Sequence, residues 1–350
     1  MFTQTLVRRV LGSSLVDLLT GPHGVDRYTE LLEPTWTLAE ARARVLAVRR
    51  TTPRSVTLTL EPNGSFAGFR AGQYLTVSLE INGRRYTRCY SPANAEGATM
   101  IELTIGRHDG GRVSTYLYDH ARPGTVLGIS AAGGDFVLPA QRPRRILFVA
   151  GGSGITPVMS MLRTLRADGF TGEVAVLRYA PSALEACYLD ELRALKATVL
   201  HGFTRVTDGT DLTGRFGAGH LAQAMPDPEA VYVCGPPALV QAVRELCPDA
   251  HTESFLPPSF EVPAEMTGGR ITFTDSAIDV IDDGRSLLDQ AEAAGLKPQS
   301  GCRMGIWHTC TRRKIRGAVR NLTTGAVSQT DGEDVQICVS APVGDIELAL

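Results

Sequence analysis

The feature that most limits the fold is RILFVAGGSGITP, Arg145 to Pro157. Five apolar residues run into Gly151, Gly152 and Gly154, and an amphipathic stretch, VMSMLRTLR, follows. A short apolar run without polar alternation suits a strand covered on both faces, as in a parallel sheet. The glycines allow a tight turn into a helix whose first N–H groups have no partner within the helix. The pattern then repeats: strand EVAVLRYA, helix ALEACYLDELRAL, strand TVLHGFTR, a helix near LAQAM, strand AVYVC and helix ALVQAVREL. Strands alternating with helices predict a doubly wound parallel α/β sheet over residues 141–255.

Upstream the period changes. RVLAVRRTTPRSVTLTLEP and YLTVSLEINGRRYTRCYSP alternate β-branched and polar residues, with Asn82-Gly83 as a hairpin turn. IELTIGR and TVLGISAAGGDF continue the alternation, which predicts an antiparallel β-barrel over residues 41–140. In residues 1–40, Phe2, Leu6, Val10, Leu11, Leu15, Leu18 and Leu19 recur at helical spacing. Asp17 and two serines interrupt that lead, which makes it neither a signal-peptide core nor a span. Packing on the body of the protein is the first expectation for it, and contact with a membrane surface or membrane-bound partner the second. Residues 256–268 are rich in Pro and Gly and read as a linker. Residues 269–350 form a further compact unit: strands ITFTDS and AIDVID, helix SLLDQAEAAG, a cysteine loop and a closing hairpin. The chain is thus expected to be multidomain, combining α+β and α/β parts. A net charge of −2 creates no field that would recruit nucleic acid. Seven irregularly spaced cysteines fit a reduced, cytoplasmic setting better than a disulfide framework.

Four stretches carry chemistry. Arg88-Cys89-Tyr90-Ser91, preceded by Tyr74, ends a barrel strand. An arginine there can make charge-assisted bonds to a pyrophosphate, and Tyr90 can stack on a flat heterocycle whose edge Ser91 can reach. Gly110, Gly111, Arg112, Val113 and Ser114 offer backbone N–H groups and a hydroxyl before a short helix. Gly151, Gly152, Ser153, Gly154, Thr156 and Pro157 form a second phosphate cradle, although the spacing departs from G-x-G-x-x-G. Cys234-Gly235-Pro236 closes another apolar strand, at the carboxyl end where open α/β sheets bind ligands. Each stretch alone is equally a salt-bridged Arg, a packed Tyr, a tight turn or a small buried thiol. Their order narrows the reading.

That order resembles the ferredoxin-NADP reductase superfamily. The last unit, with GCRMGIWHTC and the later Cys338, resembles a plant-type ferredoxin with a β-grasp fold. The resemblance covers roughly residues 42–350. It implies that Arg88 binds the FAD pyrophosphate, Tyr90 stacks on the isoalloxazine and Ser91 sits near its N5. It places Val113 and Ser114 at the pyrophosphate, residues 151–157 at the nicotinamide dinucleotide phosphates and Cys234 beside the nicotinamide. Arg178, Ser182 and Arg205, at the ends of the second and third strands with no acid before Glu185, favour NADPH, with NADH as the alternative. A 2Fe-2S site of the plant type uses C-x4-C-x2-C and a distant fourth cysteine. Cys302, Cys310 and Cys338 supply three ligands, and position 307 holds Trp. Indole cannot ligate iron, and His308 is one residue out of register, so a complete cluster is not expected. The resemblance extends to actinobacterial reductases that serve membrane fatty-acyl desaturases. A haem-thiolate monooxygenase or Rieske oxygenase is the second acceptor class. A flavin- and nucleotide-binding module without electron output is the alternative from outside enzymes.

Overall fold

The computed structural model describes residues 40–206, 208–255, 268–300, 308–322 and 324–350, with Asp26, Thr29, residues 32–37 and Gly305. The helix expected in residues 1–40, nearly all of the linker 256–268, Cys302 and Trp307 lie outside the described residues.

Two compact units divide at Phe255 and Leu256. In the first, β1 (Arg42–Thr52), β2 (Ser55–Pro62), β3 (Leu75–Ile81), β4 (Arg84–Tyr90), β5 (Ile101–Gly106) and β6 (Val126–Ile129) form an antiparallel sheet ordered β4-β3-β6-β1-β2-β5. Its buried face gathers Val45, Leu58, Leu60, Val77 and Leu103, as the alternation requires. At about 1.5–3 kcal/mol for each fully buried Val or Leu, this face stabilises the sheet against its ordering entropy. Asn82 (φ 53°) and Gly83 (φ 73°) both take left-handed backbone, the two-residue turn whose twist matches the flanking strands β3 and β4. Helix α1 (Arg112–His120) follows β5 and buries Val113 and Leu117 against the same core.

The parallel sheet is built from β7 (Arg145–Gly151), β8 (Glu173–Ala180), β9 (Thr198–Phe203), β10 (Ala230–Cys234) and β11 (His251–Glu253), ordered β11-β10-β7-β8-β9. Every residue from Ile146 to Ala150 is fully buried, as a central strand covered on both faces demands. Helix α2 (Ile155–Ala167) runs from the Gly-rich turn. The helix expected over ALEACYLDELRAL is shorter: a 3-10 turn at Ala183–Glu185, then α3 (Leu189–Arg193). Tyr188 breaks it with left-handed backbone (φ 64°). Helices α4 (Ala218–Ala224) and α5 (Pro237–Leu246) complete this layer.

Arg163 on α2 joins the two sheets. It donates to Glu102 of β5 at 2.8 Å, to the Ala93 carbonyl at 2.8 Å and to both Glu191 oxygens at 2.7 Å. Burial alone would lower its pKa, but the bonds to Glu191 and Glu102 outweigh that and hold the guanidinium charged.

In the second unit, β12 (Arg270–Phe273), β13 (Ile278–Ile281), β14 (Thr311–Asn321), β15 (Val327–Ser328), β16 (Glu333–Gln336) and β17 (Ser340–Leu348) form a mixed sheet. Its order is β13-β12-β17-β14-β15, with β16 on β14. The first and last strands, β12 and β17, pair in parallel. Helix α6 (Leu287–Ala293) buries Leu287, Leu288 and Ala291 against Ile271, Phe273 and Leu348. Among the described residues of the chain, no helix is long and apolar enough to cross a membrane.

Candidate functional site

Strand periodicity sets one side of the site. Arg84, Tyr86, Arg88 and Tyr90 alternate along β4, on one face. Arg88 is exposed, and its guanidinium donates to the Thr87 carbonyl at 2.7 Å. Tyr90 is half-buried and packs on the barrel core, and desolvation pushes its hydroxyl well above the usual tyrosine range. Cys89 pairs with Thr76 across β3. Ser91 is buried, and its Oγ has no hydrogen-bond partner among the described residues, which is the kind of orphaned group that a ligand satisfies. Tyr74 is buried, and its backbone exchanges hydrogen bonds with Gly133 at 3.0 and 2.9 Å.

A cleft of about 770 Å³ opens beside β4, lined by Arg84, Tyr86, Arg107, His108, Gly111 and Arg112 among others. Arg112 donates to the Tyr86 hydroxyl at 2.7 Å. The helix α1 starts at its edge with Val113 and Ser114 buried. Ser114 Oγ accepts from the His108 N–H at 3.3 Å and donates to the Gly111 carbonyl at 3.4 Å. A Cβ on Gly111 would meet Ser114 Oγ at 2.6 Å, so glycine leaves room for that hydroxyl to close the turn. Tyr86 had no role in the sequence reading, and its period-2 alternation with Arg88 along β4 was the signal.

The other side lies where strand order reverses, between β7 and β10. A Cβ on Gly154 would stand 2.1 Å from the Cys234 carbonyl oxygen. One on Gly151 would stand 2.7 Å from the Pro236 ring. Glycine therefore lets the turn of residues 151–157 press against Cys234-Gly235-Pro236. Gly152 is exposed and Ser153 half-buried, while Thr156 and Pro157 are buried in the first turn of α2, with Thr156 Oγ1 donating to the Ser153 carbonyl at 3.1 Å.

Cys234 is fully buried and sits opposite Glu253 in the parallel register of β10 and β11. Its Sγ donates to a Glu253 oxygen at 3.9 Å. Burial first, then the Glu253 charge, pushes the thiol well above its ordinary pKa. Burial also pushes the Glu253 carboxyl up to about 8. The residue is half-buried overall, so the carboxyl end is its dry part. A Cβ on Gly134 would lie 2.9 Å from the Tyr74 ring and 4.0 Å from a Glu253 oxygen. Barrel and parallel sheet thus bring Tyr74 and Glu253 to one place. Glu253 was missed in the sequence because no motif surrounds HTESF.

Ser182 and Arg205 come together at the carboxyl ends of β8 and β9, where Arg205 N–H donates to the Pro181 carbonyl at 3.0 Å. Arg205 is exposed and Ser182 half-buried. Arg178 does not join them. It is 1% exposed, inside β8, and donates to the Tyr179 carbonyl at 2.7 Å. Burial lowers its pKa to about 10. Arg178, expected with Ser182 and Arg205 at the nucleotide 2′-phosphate, lies instead inside a strand covered on both faces.

In the second unit, Cys310 closes a 3-10 turn (His308–Cys310) before β14, and Cys338 lies between β16 and β17. Both are buried, and their sulfurs are 3.1 Å apart. The Cys338 hydrogen bond pushes Cys310 down to about 6. Among the described residues no group of three or more His, Cys, Asp or Glu is arranged to hold a metal.

The chain matches the Oxidoreductase FAD-binding domain family over residues 50–138 and the Oxidoreductase NAD-binding domain family over residues 148–245. It is 37% identical to an NADPH oxidoreductase of Mycobacterium tuberculosis across 94% of this chain and 90% of that one. A glycine betaine monooxygenase reductase subunit of Pseudomonas aeruginosa is 27% identical over 79% of this chain and 86% of its own. Among solved structures, phthalate dioxygenase reductase shares the fold with a TM-score of 0.61, at 24% identity, over 88% of this chain and 97% of that one. The chain belongs to the FAD- and NAD-binding oxidoreductases of the ferredoxin-NADP reductase family. It is an NAD(P)H-dependent flavin oxidoreductase, related to the reductase components of oxygenases.

Proposed function

We propose that the chain oxidises NADPH at the meeting of its antiparallel and parallel sheets and delivers the electrons to an oxygen-activating protein. The observation that carries this reading is the convergence of Tyr74 with Glu253 and Cys234, beside a barrel strand that ends in the orphaned Ser91 hydroxyl. That hydroxyl, the glycine-closed turn at Gly111 and the cationic cleft fit a flavin carrying a pyrophosphate. Bound FAD supplies the two-electron acceptance and one-electron release that no side chain here can provide.

The residues hold and orient. Arg88 neutralises the pyrophosphate, and the N–H groups that open α1 at Val113 and Ser114 complete its cradle. Tyr90 covers a ring face, and Ser91 Oγ meets the ring edge. Cys89 and Tyr74 fix the strand that carries them. Residues 151–157 receive the dinucleotide phosphates at the start of α2. Cys234, Gly235 and Pro236 form the wall against which the nicotinamide lies, and the neutral Cys234–Glu253 pair keeps that wall dry and uncharged. Arg205 and Ser182 together suit a 2′-phosphate, which favours NADPH over NADH.

Residues 269–350, with β12 parallel to β17 and α6 across the sheet, read as a β-grasp ferredoxin-type unit. The donor set does not fit a complete 2Fe-2S cluster, because Trp307 stands where the second thiolate is needed. A membrane fatty-acyl desaturase is the acceptor that the resemblance of the sequence motifs implies, and a haem-thiolate or Rieske oxygenase the second. The named reductase subunits among the relatives support an oxygenase-class partner.

NADPH-dependent flavin bleaching set against cytochrome c reduction tests the reading. Rapid bleaching with slow cytochrome c reduction is expected. Absence of bleaching would leave a binding module without electron output, and rapid cytochrome c reduction by iron-free protein would remove any need for the last unit.

A further inference from the structure

Outside the flavin and nucleotide site, the least explained feature is the pair of buried thiols in the second unit. Cys310 Sγ and Cys338 Sγ are 3.1 Å apart. Two thiolates bound tetrahedrally to one metal at about 2.3 Å stand about 3.8 Å from each other. A disulfide needs about 2.05 Å. The observed separation lies between the two, so each sulfur need move only about 0.5 Å to bond. Both backbones are already tied. The Ile337 N–H donates to the Cys310 carbonyl at 3.3 Å, and Val339 N–H to the Gln336 carbonyl at 3.1 Å. The side chains belong to one apolar cluster with Ile337, Val339 and Leu287.

We propose that Cys310 and Cys338 form a reversible disulfide, making the second unit of this chain a thiol–disulfide element. The inference rests on the reading that Trp307 leaves the cluster site incomplete. Hydrogen peroxide is the oxidant, and it reaches Cys310, exposed by only 2%, through local opening of this unit. Cys310 Sγ attacks one peroxide oxygen, the O–O bond breaks, and the departing hydroxide takes the Cys310 proton to leave as water. Cys338 Sγ then attacks the Cys310 sulfur, the S–O bond breaks, and the hydroxyl leaves with the Cys338 proton as a second water. Two thiols and one peroxide give one disulfide and two waters. A dithiol reductant reverses the change by exchange.

The consequence is a switch in how the strands are tied. The bridge links the start of β14 to the turn before β17 and closes a loop containing β14, β15 and β16. In the chain-entropy picture a bridge closing this loop removes disorder from the unfolded state. The oxidised second unit should therefore resist proteolysis far longer than the reduced one.

The test is peptide mapping of the full-length flavoprotein after peroxide and thiol blocking, with and without dithiothreitol, in parallel with the NADPH bleaching assay. The expected result is a crosslinked pair of peptides holding Cys310 and Cys338, about 2 Da lighter than their sum and released by dithiothreitol. In Cys338→Ser that pair vanishes and dimedone labels Cys310. In Trp307→Cys, iron and sulfide reconstitution should protect both thiols from peroxide. A crosslink joining Cys302 to either residue instead, or both thiols alkylated after peroxide, would overturn the proposal. So would about two irons per flavin in the unsubstituted chain. A failure of flavin bleaching would count against the NADPH reading and leave the thiol result to stand by itself.

Discussion

The flavin–nucleotide half and the C-terminal unit each bury an apolar core, yet they differ in how complete their chemistry is. In the first, glycines at 151 and 154 let the turn of residues 151–157 press against Cys234-Gly235-Pro236, so that backbone packing shapes this half of the site. In the second, the sheet, the helix and two of the sulfurs are in place, while the loop sequence supplies indole where a thiolate is needed. A site framed by backbone tolerates changes at side chains away from its glycines, whereas a cluster held by four thiolates needs each of them. That difference separates binding and hydride chemistry, which the chain retains, from a metal centre that depends on every ligand.

The comparison can be broken most sharply at residue 307. Trp307→Cys should raise iron after reconstitution from near zero to about two per flavin, measured by metal analysis. If iron stays near zero, the loop has lost more than one ligand. Next in size is the tie between the two sheets. Arg163→Met leaves Glu102 and Glu191 without their cation and should cost on the order of 3 kcal/mol in urea unfolding. Arg88→Ala removes a charge-assisted contact of roughly 1.5–3 kcal/mol, so flavin affinity by fluorescence quenching should weaken about 10- to 150-fold. Arg205→Ala should raise the KM for NADPH roughly tenfold, an effect of about 1.4 kcal/mol, with little change for NADH. Equal loss for both nucleotides would remove Arg205 from the 2′-phosphate.

A further effect is a pH slope. The Glu253 carboxyl is raised to about 8 from 4.5, so the folded chain keeps a proton that the unfolded chain releases. Stability from this group is fully present below about pH 4.5 and is lost as pH rises towards 8. Glu253→Gln should flatten the fall of Tm with rising pH across that window, as followed by circular dichroism.

Much of this was legible beforehand. The Asn82-Gly83 turn, the apolar run of β7 and the alternation of β4 each follow from one local rule. What escaped needed tertiary context. Arg178 looked like a surface cation because arginine usually is one, but position six of EVAVLRYA lies in a strand covered on both faces. The helix across residues 183–193 was interrupted by Tyr188, whose left-handed backbone no propensity would suggest. Glu253 became significant only through burial beside Cys234, which depends on β11 pairing with β10. The lead of residues 1–40 and the role expected for it at a membrane fall outside the described residues for the most part.

The most direct measurement is a visible spectrum of anaerobically purified protein, before and after one equivalent of NADPH, with iron counted per flavin. Flavin bands alone, bleached by NADPH with iron near zero, are predicted. Broad additional absorption with about two irons per flavin, or flavin bands that NADPH leaves untouched, would contradict the account.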